Sequence, residues 1–257
     1  MSTIFLETSM QIERTLTMGP ESSKIESIIE SSKHQFISSN YVWMEYQRSF
    51  VSDYAHIHRV MGQQKGWAEF FWHLLEGPRA FRPRSAVRCT KIIGDVYGEC
   101  EGDYGLAYEI IGYHLEYRLP YLFWRNVSRQ PDTIRCDLVT SGIALQPDNS
   151  FSVPDSCRKD TAACHLPEFL AQNQHRLQTL SGYLATHKQA IKDQARVQKV
   201  LSAVLENPRA ALGQNACWPL GDIIIALQVP DDAQIWTLDA DFEVLSTAMG
   251  LTVYQPT

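Results

Sequence analysis

Residues 221–242 read GDIIIALQVPDDAQIWTLDADF, and this run carries most of the information about the architecture. Five apolar residues follow the acid at position 222, and this pattern predicts a helix over Asp222–Gln228. After Pro230 and two acids, the short apolar run Gln234–Leu238 has the length and composition of a buried strand. The order of these segments indicates an α/β unit.

The sequence beyond this run continues the same alternation. Asp241–Met249 is predicted as a helix, and Gly250 is the residue type that most often follows a helix C-terminus. Leu251–Tyr254 is then predicted as a strand. A strand, a helix and a second strand in this order imply a right-handed crossover between parallel strands.

Four acidic residues occupy similar places, although they lie far apart in the chain. Each stands at the end of an apolar run or near the beginning of a helix, and they are Glu7, Glu45, Asp222 and Asp239. Because the carboxyl ends of parallel strands meet at one edge of a sheet, such carboxylates are expected to gather. Gathered carboxylates are typical of sites for hard divalent cations such as Mg²⁺.

The overall composition is that of an ordinary globular protein, with 44% hydrophobic and 20% charged residues. A net charge of -6 argues against non-specific coating of nucleic acid. No apolar run approaches the length of roughly 18 residues that a membrane helix needs, so no membrane association is expected. The six cysteines are scattered and no signal peptide is recognised, so we expect reduced thiols and a cytoplasmic location.

The segments around the four acids resemble the PIN-domain family of metal-dependent nucleases. In the family an acid opens an apolar helix, and a strand then ends in Thr-x-Asp-x-Asp-Phe before a Gly-Leu pair, as in residues 220–253 here. Phe5-Leu6-Glu7-Thr8-Ser9 is similar to the N-terminal motif of the family, which usually has Asp at the acidic position. Glu45 stands where the family places a glutamate on a helix.

The resemblance implies a PIN-like three-layer α/β fold with a central parallel sheet. It covers roughly residues 1–52 and 213–257, which would form one discontinuous nuclease domain. Because 177 residues separate Glu45 from Asp222, residues 53–212 are expected to be a mostly helical insertion.

The resemblance also implies an activity, namely Mg²⁺- or Mn²⁺-dependent endonucleolytic cleavage that leaves 5′-phosphate and 3′-hydroxyl ends. It favours RNA over DNA as the substrate, as in toxin-like endoribonucleases. The implied catalytic metal ligands are Glu7, Glu45, Asp222 and Asp239, with Asp241 as an outer ligand. The implied substrate-binding or positioning residues are Thr8, Ser9, Arg48 and Thr237.

Two alternatives stay open on the sequence. Glu7 replaces the usual Asp and adds one methylene, which would also suit a degenerate PIN module that binds nucleic acid or a protein partner without cutting. A DNA-cutting defence effector is the second alternative.

The expected partners are nucleic acid, a second copy of the chain in a homodimer, and an antitoxin or other protein. Taken singly, each acid would also suit a helix cap or a solvated surface.

Two groups of basic residues are candidates for contacts with a nucleic-acid backbone, with an ordinary solvated surface as the alternative. The first group lies in an acid-free stretch and consists of Arg79, Arg82, Arg84, Arg88 and Lys91. The second is expected on one face of a helix over residues 188–206 and consists of Lys188, Lys192, Arg196 and Lys199.

A structural zinc site is a further hypothesis, since Cys157, Cys164, His165 and His175 lie close together in sequence. The first pair is seven positions apart, which is wider than the usual spacing in zinc fingers. Ordinary thiols are therefore the alternative interpretation.

Overall fold

The computed structural model describes residues 2–16, 20–76, 83–130, 134, 136, 142–153, 157 and 164–256. Its centre is a five-stranded sheet in which every neighbouring pair of strands is parallel. In spatial order the strands are β3 (Ser128–Arg129), β2 (Gln35–Ser38), β1 (Thr3–Leu6), β6 (Ala233–Trp236) and β7 (Thr252–Val253). A separate antiparallel pair consists of β4 (Ala144–Leu145) and β5 (Phe151–Ser152).

Helices account for most of the remaining described chain. In chain order they are α1 (Thr8–Thr15), α2 (Pro20–Ser31), α3 (Asn40–Tyr46), α4 (Ser52–Met61), α5 (Trp67–Glu76), α6 (Pro83–Glu99), α7 (Tyr104–Tyr113), α8 (Leu119–Trp124), α9 (Leu166–Gln172), α10 (Gln174–Thr186), α11 (Gln194–Glu206), α12 (Gln214–Cys217), α13 (Gly221–Gln228) and α14 (Asp241–Met249). Short π-helical segments, Gln47–Val51 and His114–Arg118, join α3 to α4 and α7 to α8. Two 3₁₀ turns cover Pro208–Ala211 and Trp218–Leu220.

Apolar residues cover both faces of the sheet, as parallel sheets require. Side chains alternate along β1, so Ile4 and Leu6 pack into a cluster with Ile25 of α2, whereas Phe5 packs into the larger core with Ile224 of α13. Each such fully buried side chain contributes about 1.5–3 kcal/mol. The architecture is therefore α/β with helices on both faces of a parallel sheet, which is compatible with a three-layer fold.

The predictions for the C-terminal region are confirmed with small changes of boundary. The predicted strand over Gln234–Leu238 is β6, which ends two residues earlier. The predicted helix over Asp241–Met249 is α14, and Gly250 follows it in the left-handed region with φ of 70°. The final strand is shorter than predicted and forms β7 beside β6.

The expected division into a nuclease domain and an insertion stays a prediction, although two observations bear on it. β3 lies within residues 53–212, yet it pairs with β2 and forms an edge of the sheet. The larger hydrophobic core also combines residues of both parts, for example Val42 and Ile224 with Leu201. None of the described helices is long and apolar enough to span a membrane.

Candidate functional site

The candidate site lies at the carboxyl edge of the sheet, where β1 and β6 end side by side. Leu6 is paired with Trp236, so Glu7 and Thr237 follow the two strands at the same level. The chain passes from β1 to β2 and β3 on one side and later adds β6 and β7 on the other. The gap between β1 and β6 is thus a topological switch point, the place where open α/β sheets bind their ligands.

Glu7 is buried and caps the N-terminus of α1 with its own side chain. Its carboxylate accepts hydrogen bonds from the backbone N–H groups of Ser9, at 2.7 Å, and Met10, at 3.3 Å, and from the Ser9 hydroxyl. Burial raises the pKa of Glu7, and hydrogen bonds from Ser9, Thr237 and Met10 oppose that rise. The expected strand-end position of this acid is therefore realised, with its oxygens turned towards the helix.

One hydrogen bond connects the ends of β1 and β6, and two more order the chain that follows β6. Ser9 Oγ accepts a hydrogen bond from the Leu238 N–H at 3.0 Å. Thr237 Oγ1 accepts one from the Asp239 N–H at 2.9 Å, and Asp239 Oδ1 accepts one from the Asp241 N–H at 3.0 Å. Ser9 and Thr237 thereby hold the backbone on which these acids are carried.

Thr8 differs from its neighbour Ser9. Its Oγ1 is buried without a hydrogen-bond partner within the part of the chain that the structure describes. A buried hydroxyl without a partner costs about 1–3 kcal/mol. Thr8 therefore has no structural task that accounts for its hydroxyl.

Glu45 lies one turn inside α3 and points towards the beginning of α13. Ser39 caps α3 by accepting a hydrogen bond from the Val42 N–H at 3.1 Å, which fixes where the helix begins. A Cβ atom added to Gly221 would stand 3.2 Å from Glu45 Oε1. The absence of a side chain at Gly221 thus allows Glu45 to approach α13 closely.

Arg48 is the direct partner of Glu45. Its Nη2 lies 2.6 Å and 2.5 Å from the two carboxylate oxygens of Glu45, and its guanidinium stacks 4.6 Å from the ring centroid of Trp218. Burial raises the pKa of Glu45, and the charge of Arg48 opposes that rise. Arg48 belongs to the π-helical segment that follows α3, a type of distortion that is frequent at functional sites.

Asp222 lies on the first turn of α13, and its pKa depends on the charges of the other acids. Its side chain is exposed, but it lies in a concave part of the surface where surrounding protein replaces part of its hydration. Loss of hydration is the largest effect on its pKa, followed by repulsion from Glu45, Asp239, Glu7 and Asp241, and together these raise the pKa of Asp222 to about 7. Asp222 is therefore close enough to the other three acids that the sequence singled out to be repelled by their charges.

Asp241 is held from a different direction. Its carboxylate oxygens accept hydrogen bonds from the Lys192 N–H at 3.2 and 3.3 Å. A cavity of about 170 Å³ lies beside it, and Lys192, Arg196, Trp218 and Asp222 contribute to its lining. Two exposed cations thus stand at the margin of the acidic cluster.

The expectation that Lys188, Lys192, Arg196 and Lys199 share one helix face is wrong. Helix α11 begins at Gln194, so two of the four lysines and arginines precede it. Asp193 has a left-handed backbone with φ of 51°, and Gln194 Oε1 accepts a hydrogen bond from the Ala190 N–H at 2.7 Å. These contacts form a turn where the sequence pattern predicts continuous helix.

The other basic stretch gives no support for a nucleic-acid track. Arg79 and Arg82 lie outside the described residues, as does the side chain of Arg84. Arg88 pairs with Asp53 at 2.6 Å, and Lys91 pairs with Glu13 at 3.3 Å. These last two cations are therefore engaged within the protein.

The histidines of the zinc hypothesis do not join its cysteines. His165 and His175 are exposed and do not line the cavity that Cys157 and Cys164 share with Cys136 and Cys217. No spacing signal points to Cys136 or Cys217, because they lie 21 positions before Cys157 and 53 positions after Cys164. The sequence reasoning also missed Gly221 and Trp218.

The donor set fits a hard divalent cation in its chemistry, since it consists of carboxylates with hydroxyl groups nearby. The side chains are not arranged around a common point, because no three His, Cys, Asp or Glu residues of the described ranges are placed to hold a metal ion. Glu7 faces the α1 N-terminus and Glu45 faces Arg48. Cation binding would therefore require these side chains to rotate. Without a cation, the crowded carboxylates repel one another.

Comparisons with protein-family models, with curated proteins and with solved structures give no significant match for this chain.

Proposed function

We propose that the chain is a PIN-like endonuclease that hydrolyses phosphodiester bonds with Mg²⁺ or Mn²⁺, with RNA favoured over DNA. The observation that carries the proposal is the position of the acids: Glu7 follows β1 beside the end of β6, and Glu45 Oε1 would lie 3.2 Å from a Cβ atom at Gly221, the residue before Asp222. In agreement with this position, repulsion from the other acids contributes to the raised pKa of Asp222. Five acids at the carboxyl edge of a parallel sheet cost stability when no cation is present. A hydrolytic metal site accounts for their presence.

A bound cation would supply an activated water and neutralise charge on the phosphate during hydrolysis. In the proposal Glu7, Asp222 and Asp239 hold it, because they flank the switch point and the adjoining helix. Glu45 joins when its carboxylate leaves Arg48. The freed guanidinium is then available for a phosphate oxygen of the substrate, which it would bind through charge-assisted hydrogen bonds.

The remaining polar residues position these groups. Ser9 and Thr237 hold the backbone next to Glu7 and Asp239, and the Thr8 hydroxyl is available for a carboxylate or the scissile phosphate. Asp241 acts as an outer ligand, since its backbone N–H donates a hydrogen bond to the Asp239 carboxylate. The proposal also includes a cytoplasmic location, a homodimer, and an antitoxin or other protein as a regulatory partner.

The test is incubation of the purified chain with labelled RNA, single-stranded DNA and duplex DNA, each with Mn²⁺ and with a chelator. We expect Mn²⁺-dependent cleavage of RNA, and no cleavage by Asp222→Asn or Asp239→Asn. Asp232→Asn is the matched control, because it makes the same chemical change at an exposed acid outside the cluster. Undiminished cleavage by both site variants would refute the assignment, and cleavage of DNA alone would favour the DNA-cutting effector.

A second candidate function, a degenerate module that binds without cutting, is favoured by two contacts. Glu7 is used as a helix cap and Glu45 is neutralised by Arg48, so both acids already have partners within the protein. Calorimetric titration with Mn²⁺ discriminates between the candidates. The nuclease is expected to bind Mn²⁺ and to lose binding in Asp222→Asn, whereas the degenerate module would show no binding in either protein.

A further inference from the structure

Four of the six cysteines line one small cavity next to the π-helical segment. They are Cys136, Cys157, Cys164 and Cys217, of which Cys157 and Cys164 are near each other in sequence and the other two are distant. The structure describes all six cysteines, and none forms a disulfide. The cavity has a volume of about 10 Å³ and an almost wholly apolar lining, so it is too small and too dry for an ordered water.

The thiols contact one another and a tyrosine. Cys164 and Cys136 form a hydrogen bond between their side chains, and the Tyr41 hydroxyl lies 3.4 Å from Cys217 Sγ. The hydrogen bond with Cys136 and burial raise the pKa of Cys164, and burial raises the pKa of Cys217 to about 11.

Two buried N–H donors near the thiols would gain acceptors if the sulfurs were metal-bound thiolates. Arg48 Nη1 and Trp218 Nε1 are buried without a hydrogen-bond partner in the ranges that the structure describes, and both residues line the cysteine cavity. A buried donor without an acceptor costs about 1–3 kcal/mol. Metal-bound thiolates accept hydrogen bonds from such neighbours, which help to orient the ligands.

We propose that Cys136, Cys157, Cys164 and Cys217 form a four-thiolate site for a soft metal centre, either Zn²⁺ or an iron–sulfur cluster. Thiolate ligands select these centres and reject Mg²⁺ and Mn²⁺, so the site is distinct from the acidic cluster. The negative charge of four thiolates is offset by the metal and by Arg48, which contributes to the lining of the cavity. Arg48 Nη1 and Trp218 Nε1 donate to the sulfurs.

Metal binding requires the sulfurs to draw together from their present positions, since no three potential ligands among the described residues are placed to hold an ion. Zn–S bonds of about 2.3 Å in a tetrahedron place sulfurs about 3.8 Å apart. Such a centre would connect residues 136–164 to Cys217, which lies five positions before Asp222. The site would therefore stabilise the segment that leads into α13.

The experiment uses the full chain, purified under reducing conditions without chelators from cells supplied with zinc and iron. Metal content is measured by mass spectrometry, and visible absorption distinguishes an iron–sulfur cluster from zinc. Cys164→Ser and Cys217→Ser are the site variants. Cys100→Ala is the control variant, because it removes a buried thiol elsewhere in the core. A second measurement, titration of the reduced metal-free wild-type chain with Co²⁺, does not depend on the folding of any variant.

We expect about one zinc per chain, or about two or four irons per chain according to the type of cluster. We also expect loss of this metal in both serine variants and its retention in Cys100→Ala. With Co²⁺ we expect the absorption bands of a tetrahedral sulfur site. A wild-type chain that carries no metal and gives no such cobalt spectrum would overturn the proposal. This holds also if Cys136 and Cys164 are found to form a disulfide instead. Retention of the metal by both serine variants would overturn it as well.

Discussion

The two carboxylate oxygens of Glu45 lie 2.6 Å and 2.5 Å from Nη2 of Arg48, three residues further along the same helical segment. Both side chains are only about 15% exposed, so this ion pair is more strongly coupled than a pair on the surface. Arg48 acts as the counter-ion of Glu45 in the metal-free protein. A divalent cation in the acidic cluster would compete with it for the same oxygens.

Replacement of Arg48 is predicted to tighten Mn²⁺ binding. In Arg48→Gln the cation no longer has to displace a guanidinium from Glu45, so we expect a Kd for Mn²⁺ lower by roughly fivefold, or about 1 kcal/mol. Cleavage should nevertheless fall, because the residue proposed to bind the phosphate is lost. Calorimetry and the cleavage assay on the same preparation check both effects. An unchanged or weaker Mn²⁺ affinity would show that Arg48 does not compete for Glu45.

The stability of the metal-free protein is predicted to fall as pH rises from about 4 to about 7. The pKa of Asp222 is raised to about 7, so the folded state retains a proton that the unfolded state has already released. Folding is therefore favoured at the low end of this range and loses that contribution as pH rises through 7. The raised pKa values of Glu7 and Glu45 act in the same direction.

Denaturant unfolding in chelator, at several pH values, measures this trend. Asp222→Asn should flatten it, and Asp232→Asn should leave it unchanged. With Mn²⁺ the trend should reverse, because deprotonated carboxylates bind the cation. Identical pH profiles for the wild type and Asp222→Asn in chelator would contradict the coupling among the acids.

Gly221→Ala is predicted to separate stability from activity. The backbone of Gly221 is helical, with φ of -51° and ψ of -55°, so alanine suits it and should stabilise the helix by up to about 1 kcal/mol. The new methyl group would stand 3.2 Å from Glu45 Oε1 and would shift that carboxylate. We expect a melting temperature that is equal or higher, together with reduced Mn²⁺-dependent cleavage. Full cleavage activity would mean that the position of Glu45 is not critical.

Charge reversal at the margin of the site is predicted to weaken substrate binding. Lys192 and Arg196 line the cavity beside Asp222 and Asp241, so Lys192→Glu with Arg196→Glu should raise the KM for RNA. The slope of the logarithm of the binding constant against the logarithm of the salt concentration should become less negative by about 1–2. Lys199→Glu is the control, since Lys199 is exposed and does not line this cavity. Equal effects of the control and the double variant would indicate only a general loss of positive charge.

The strongest predictions from sequence concern β6, α14 and β7. Their periodicity, the acid at a helix start and the glycine at position 250 all indicate the same structure, and so the signals reinforce one another. By contrast, β3 consists of Ser128 and Arg129, and two residues carry no periodic pattern. Its place beside β2 depends on tertiary contacts.

The strand-end and helix-start positions of the acids were predictable, but their present partners were not. The sequence indicates that Glu7 lies at the end of a strand and Glu45 near the beginning of a helix, because strand ends and helix starts have local patterns. It does not show that Glu45 turns to Arg48, since an i, i+3 pair is only one of several contacts open to both side chains. The meeting of Cys136 with Cys217 was not predictable either, because it depends on how distant segments pack.

The measurement that tests the central claim most directly is anomalous diffraction from crystals of the chain grown with Mn²⁺. The account predicts a manganese peak at the carboxyl edge of β1 and β6, within about 2.0–2.6 Å of carboxylate oxygens from at least two of Glu7, Glu45, Asp222 and Asp239. Manganese bound only elsewhere, or no manganese peak at a saturating concentration, would contradict it.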